Sequence, residues 1–267
     1  MVNNSRIELP ENVLIDPVEI GIDEAGRGPV LGPMVYSACV APVNYSFPSS
    51  VNDSKKIKRE NHAMILSQLQ SEGLGFVSYV ATAEEISSKC FQQNESLNSF
   101  SYSIVIDIIK QIAAAGAKIK CVYIDTVGDS TKYKLLLEKE FKDLRFVVED
   151  KSDSKYKIVG AASIHAKVTR DKELKDFVFE ETDLEINGHD YGSGYPHDQK
   201  TMEWLENNFD PVFGFPSIVR FNWTPIRDIF TRKNAEVQFP EYSYPKQQKT
   251  FDSAFFSQRN LQMAKLG

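Results

Sequence analysis

The stretch Val18 to Pro33 reads VEIGIDEAGRGPVLGP. Val18, Ile20 and Ile22 alternate with Glu19 and Gly21, a period of two that predicts a strand. The strand runs into two adjacent acids, Asp23 and Glu24, and Gly26, Arg27, Gly28 and Pro29 follow as a turn. Two carboxylates at one strand end repel each other unless a cation sits between them, and hard divalent cations take oxygen ligands. Glycine on each side of Arg27 keeps bulk away from the backbone there. A polar hairpin turn would account for a bare acid pair before Gly-x-Gly. Here, however, acids, glycines, an arginine and prolines crowd into the eleven positions from Asp23 to Pro33. Met34 to Ala41 (MVYSACVA) is rich in β-formers and is expected to pair antiparallel with the first strand, so that the turn joins the two.

Composition bounds the rest. The 267 residues are 42% hydrophobic and 25% charged, ordinary for a globular chain with a sizeable core. A net charge of −6 and a pI near 5.4 do not advertise nucleic-acid binding. A local basic groove and bound metal can nonetheless offset a negative total. Cys39, Cys90 and Cys121 are far apart, which argues against a disulfide framework and for a reducing compartment. No CxxC or His/Cys cluster suggests zinc. The start, MVNNSRIELP, has no apolar leader, and no run of 18 apolar residues occurs. The expectation is a soluble, intracellular protein of the cytosol or nucleus, neither secreted nor membrane-bound.

Residues 1–17 read as an irregular leader, 18–232 as the folded domain and 233–267 as a polar, flexible tail. Asp53 or Ser54 can cap a helix with Ile57, Met64, Ile65 and Leu69 on its apolar side, and Lys55, Lys56, Lys58 and Arg59 form the densest basic run. Gly75 to Ala81 alternates as a strand. Asn94 to Ser101 can cap the long apolar helix ending near Gly116, whose first N–H groups suit either a plain cap or a phosphate. Lys120 to Thr126 (KCVYIDT) is a near-continuous apolar run, the mark of a buried parallel strand, with Asp125 at its C-terminal end. Ligands collect at that edge of open α/β sheets. Ser130 to Lys142 reads as a helix and Leu144 to Val148 as a strand. Asp153 opens a further helix, SKYKIVGAASIHAKVTRDKELKDFVFE, running to Glu180, where it could be no more than an N-cap. A Gly-rich aromatic loop (HDYGSGYPHD), a helix at 201–208 and one from Thr224 complete the domain.

The order of elements fits a mixed sheet of five strands, antiparallel at its start and parallel at its centre, flanked by helices and followed by a helical C-terminal part. In that arrangement the first strand can lie beside the Asp125 strand, and Asp23, Glu24, Asp125 and Asp153 meet. Four carboxylates without cations would repel and raise one another's pKa values, and one or two divalent ions relieve this.

Seven motifs in order, DEAGRGPVLGPMVY, DSKK, YIDTVGD, KSDSKY, AASIHAKVTRD, DYGSGYP and PVFGFP, closely resemble the catalytic subunits of eukaryotic type 2 ribonucleases H, in the ribonuclease HII family. The resemblance spans roughly residues 18–232. It implies a ribonuclease H fold and endonucleolytic cleavage of RNA in RNA–DNA hybrids. It also implies nicking on the 5′ side of single ribonucleotides in duplex DNA, leaving a 3′-hydroxyl. The family's metal-binding acids fall on Asp23, Glu24, Asp125 and Asp153, with two ions, Mg2+ or Mn2+. Gly26, Arg27 and Gly28 are similar to the loop that touches the ribose 2′-hydroxyl, and Tyr195 to the tyrosine that contacts the ribose and stacks on the next deoxyribose. Lys55 and Arg170 match phosphate-contacting residues, and Asn98 a phosphate pocket on the DNA strand. The resemblance also implies two accessory subunits. In the tail, Gln247 to Phe256 (QQKTFDSAFF) is similar to a sliding-clamp-binding box through Phe255 and Phe256, but Lys249 and Asp252 stand at the box's glutamine and aliphatic offsets. His62, His165, His189 and His197 are not needed for the chemistry. An end-trimming exonuclease that uses four acids, and a non-enzymatic binding scaffold, are the competing readings.

Overall fold

The computed structural model describes residues 4–51, 57–91, 95–181 and 190–233. The first element is a short strand, β1 (Ser5–Glu8), followed by one helical turn, α1 (Asn12–Ile15). The strand read from the opening stretch is β2 (Pro17–Ala25), and it pairs antiparallel with β3 (Met34–Pro42), Val18 opposite Pro42 through Ala25 opposite Val35. Helix α2 (Arg59–Ser71), strand β4 (Gly75–Ala81) and helices α3 (Ala83–Phe91) and α4 (Leu97–Ala114) follow. Strand β5 (Lys118–Asp125), helix α5 (Ser130–Glu140), strand β6 (Arg145–Glu149) and the short helix α6 (Ser152–Lys155) lead into α7 (Lys157–Lys175). Helices α8 (Gln199–Asn207) and α9 (Thr224–Arg232) form the C-terminal part.

Among the described residues the sheet has six strands in the order β1-β4-β3-β2-β5-β6, not five. The supposed leader supplies the sixth: Ser5 to Glu8 pairs with Phe76 to Tyr79. Its partner lies some seventy residues on, so no local pattern announces it. Strands β2, β5 and β6 are mutually parallel, as the apolar run of β5 predicts.

Successive strand side chains point to opposite faces, and two cores result. Val18, Ile20 and Ile22 of β2 pack with Phe100, Ile104, Ile108 and Ile112 of α4 and with Tyr133 and Leu137 of α5. On the other face Cys39, Ala41 and Phe76 pack with Ile65, Leu66 and Leu69 of α2 and with Ile158, Ala161, Ala162 and Ile164 of α7. Helix α4 is capped by Ser96, whose side chain accepts from Ser99 N. Such a cap contributes about 1 kcal/mol. Each fully buried aliphatic contributes about 1.5–3 kcal/mol, so packing rather than capping holds α4. In α2 the buried stripe is His62, Ile65, Leu66 and Leu69, while Met64, expected inside, is 66% exposed. The expected cap at Asp53 or Ser54 lies outside the described residues; α2 is described from Arg59.

Helix α7 approaches the sheet at Gly21. A Cβ there would lie 2.4 Å from the backbone of Ile158, so only glycine permits the contact. A third core joins Val30 and Leu31 of the glycine turn to Trp204 and Leu205 of α8, Ile226 and Ile229 of α9, and Phe215, Ile218 and Val219 between those helices. Helix α7 ends at Lys175, so Phe177 to Glu180, expected to continue it, is irregular.

Candidate active site

The site forms where β2 and β5 end side by side. Strand parity separates the first two acids. Asp23 lies on the α7 face, with the Ser163 hydroxyl as a hydrogen-bond partner, and Glu24 continues the row of Val18, Ile20 and Ile22 toward α4 and α5. Asp125 ends β5, and its Oδ1 accepts from Ser152 N at 2.9 Å. Lys151, just before, is left-handed (φ 57°), a strained conformation for a non-glycine residue. It turns the chain so that α6 starts against Asp125. Asp153 therefore sits in the first turn of α6 and is 3% exposed; it is not the cap of the long helix, which starts separately after the extended Tyr156.

The acids perturb one another. Burial pushes the Asp23 carboxyl far above its usual range; the Ser163 hydroxyl opposes this, and Asp125 and Asp153 reinforce it. Burial likewise raises Glu24, with the charge of Asp23 next in weight. Glu24 Oε2 is buried without a hydrogen-bond partner. Buried carboxylates of this kind need a positive partner, and a donor set made of carboxylate oxygens suits hard divalent ions. By chemistry the four acids fit such ions. Among the described residues, however, no three His, Cys, Asp or Glu side chains already stand at the spacing of one ion's ligands.

The glycine turn is the second half of the site. Arg27 Nη1 donates to Ser101 Oγ at 2.8 Å, and Nη2 donates to Asn98 Oδ1. Gly26 has φ +80°, and a Cβ on it would strike Arg170 Nε at 2.1 Å. Arg170 is buried, and its Nε and Nη2 donate to the carbonyls of Pro33 and Leu31. It supports the turn through these bonds and also lines the cleft beside it. A Cβ on Gly28 would come within 3.3 Å of the Tyr195 ring. Lys55 lies outside the described residues.

Sequence reasoning missed Arg220, which is fully buried. Its guanidinium donates to Gly26 O at 2.6 Å, Arg27 O at 3.1 Å and Gly32 O at 2.8 Å, and it lies 4.9 Å from the Trp223 ring. Trp223 Nε1 adds a bond to Gly28 O at 3.1 Å. Burial lowers the pKa of Arg220, yet it stays protonated at neutral pH. An arginine inside the apolar run FPSIVRFNW was the available signal, because a buried cation must be matched. Together these bonds draw the turn's carbonyls inward. A cleft of about 290 Å³ opens on the other side, lined by Glu24, Ala25, Gly26, Arg27, Gly28, Lys167, Arg170, Asp171 and Tyr195. The structure thus gathers the acids, the glycine turn, Asn98, Arg170 and Tyr195 at one place.

A mixed sheet with acids at the ends of neighbouring parallel strands, and a basic, glycine-lined cleft beside them, defines a phosphodiester hydrolase of the ribonuclease H-like class. The family model described as Ribonuclease HII matches residues 20–226. A ribonuclease H2 subunit of Arabidopsis thaliana is 44% identical over 212 residues, covering 78% of this chain and 71% of that protein. Among solved structures, the ribonuclease H2 of Pyrococcus horikoshii OT3 is similar with a TM-score of 0.66 and 31% identity, covering 81% of this chain and 99% of that one. A PCNA:RNase HII complex from Archaeoglobus fulgidus matches with a TM-score of 0.63 and 26% identity, over 79% of this chain and 96% of that one. The chain belongs to the ribonuclease HII family. It is a ribonuclease H, an endoribonuclease acting on RNA in RNA–DNA hybrids.

Proposed function

We propose that the enzyme nicks on the 5′ side of single ribonucleotides embedded in duplex DNA, as well as within longer RNA–DNA hybrids, leaving 3′-hydroxyl and 5′-phosphate ends. The observation that carries this reading is the single cleft in which Glu24, the glycine turn and the Tyr195 ring stand together. With no side chain on Gly26 or Gly28, the turn's backbone can be approached closely from the cleft, which suits recognition of a 2′-hydroxyl. The Tyr195 ring against Gly28 offers an apolar wall for the following sugar, where a second 2′-hydroxyl would lose its hydrogen bonds. Arg27 and Asn98 at the start of α4 suit a backbone phosphate. Asp23, Glu24, Asp125 and Asp153 would hold two divalent ions, Mg2+ or Mn2+, whose chemistry is in-line hydrolysis at phosphorus. The eukaryotic relatives are named as one subunit of ribonuclease H2, which supports an assembly with accessory subunits, and we place two of them beside this chain in the nucleus. The archaeal PCNA complex motivates a clamp contact; the tail segment 247–256 that would make it lies outside the described residues.

The test is product mapping on a duplex with one ribonucleotide, in Mg2+ and in Mn2+, with the chain alone and with candidate partners added. An internal nick 5′ of the ribonucleotide is expected; stepwise trimming from an end would support an exonuclease instead. Asp125→Asn should nearly abolish cleavage and retain binding. Tyr195→Ala should impair incision at single ribonucleotides more than cleavage of uniform hybrids; equal losses would remove the junction-reading role.

A further inference from the structure

Glu24 sits before two tyrosines. Tyr36 is its directly opposed partner on β3, so the two side chains share the α4–α5 face of the sheet. Tyr133, in the first turns of α5, enters the same space and stacks on Tyr102 at 4.0 Å with 22° between the rings. The Tyr102 hydroxyl is used, donating to Val127 O at 2.9 Å. Those of Tyr36 and Tyr133 are not: the side chains are 2% and 1% exposed, and neither oxygen has a hydrogen-bond partner. Glu24 Oε2 is in the same condition. Burying such a group without a partner is costly, and phenylalanine would avoid the cost at either tyrosine. Two such hydroxyls beside an unpartnered carboxylate oxygen call for a common use.

The placement of the two hydroxyls around Glu24 says what the use is. Burial, followed by the charge of Glu24, raises the Tyr36 phenol far out of the working range, and burial, Tyr36 and Glu24 do the same to Tyr133. Both phenols therefore keep their protons and act as donors toward an acceptor. Glu24, opposite Tyr36 on the paired strand, offers them a carboxylate acceptor once bound metal holds it ionised. Ser101, which takes Arg27 Nη1, also lies close to Tyr36, so the pair borders the residue that supports the glycine turn.

We propose that Tyr36 and Tyr133 are positioning residues for Glu24, donating hydrogen bonds to its carboxylate when the acid cluster holds divalent ions and fixing the orientation in which it binds them. This rests on the metal reading above. Groups that orient a metal's ligands typically change its affinity by roughly ten- to a hundred-fold. They need not touch substrate.

Mn2+ titration by calorimetry, on wild type, Tyr36→Phe, Tyr133→Phe and the double variant, tests it. The substitutions remove one oxygen each and leave the rings in place, so the fold is retained and Tm should stay level or rise. Each single variant should bind Mn2+ about ten-fold more weakly, and the double variant more weakly still. The Mn2+ concentration for half-maximal cleavage should rise in step, while kcat at saturating ion changes little. Tyr123→Phe, whose hydroxyl bonds Glu19 away from the site, should match wild type. Unchanged Mn2+ affinity in both single variants, with normal binding by wild type, overturns this proposal alone. Wild type that takes no divalent ion overturns the metal reading and this proposal with it.

Discussion

Arg220 and His165 are two buried residues that act through a charge, one by carrying it and the other by refusing it. The five donors of Arg220 lie in a fixed plane, and three carbonyls of the glycine turn are placed around it. Lysine brings one point of charge and cannot span them. Arg220→Lys should therefore lower kcat/KM for hybrid cleavage by ten-fold or more and leave Mn2+ affinity near wild type; calorimetry beside steady-state kinetics checks both halves. His165 is clamped between Ser37, whose Oγ lies 2.5 Å from Nδ1, and the Phe76 ring stacked at 4.7 Å. Burial, with Arg6 nearby, lowers its pKa to about 4. The unfolded chain accepts this proton near pH 6.5 and the folded chain does not, so stability is lost as pH falls from about 6.5 to about 4. The loss is on the order of 3 kcal/mol. Urea unfolding at pH 7 and pH 4.5 should show a smaller pH penalty in His165→Gln; an equal penalty removes the argument. The acids of the site could be read from the chain because each ends an element. Arg220 could not, because its partners are backbone carbonyls nearly two hundred residues away.

At the scale of elements, the spacing between β2 and α7 is set by the missing side chain of Gly21. A methyl group 2.4 Å from the Ile158 carbonyl must push the helix off the sheet, and α7 carries Ser163, Lys167 and Arg170 into the site. Gly21→Ala should lower Tm by several degrees, at about 2–4 °C per kcal/mol for a chain of this size, and should cut activity as well. Differential scanning fluorimetry with a cleavage assay reads both effects. Strands β2 to β6 were legible because alternation or an apolar run marks each one. The break at Tyr156 between α6 and α7 was not. The chain composition there favours one continuous helix, whereas Tyr156 is extended and α7 starts separately after it. β1 escaped notice for another reason: four largely exposed residues beside Pro10 carry too little pattern, and only β4 makes them a strand.

For the whole molecule, β1 covers the hydrogen-bonding edge of β4, a strand whose residues are mostly buried. Deleting residues 1–8 should leave the acids and the glycine turn in place, lower Tm and increase self-association through the bared edge. Light scattering at matched concentration checks this; a deletion variant that stays monomeric with an unchanged Tm would refute the protective role of the strand. The reach of Arg220 has a consequence in time. A chain leaving the ribosome completes its sheet and all four acids by about residue 175, but the turn beside them receives its support only when residues 218–223 emerge. Synthesis therefore passes through an interval in which the cutting half exists and the ribose-facing half is unset. Released chains that end at residue 200 should bind divalent ions and cleave poorly, and chains that reach residue 233 should cleave, which makes delivery of the Arg220 segment an activating step of synthesis.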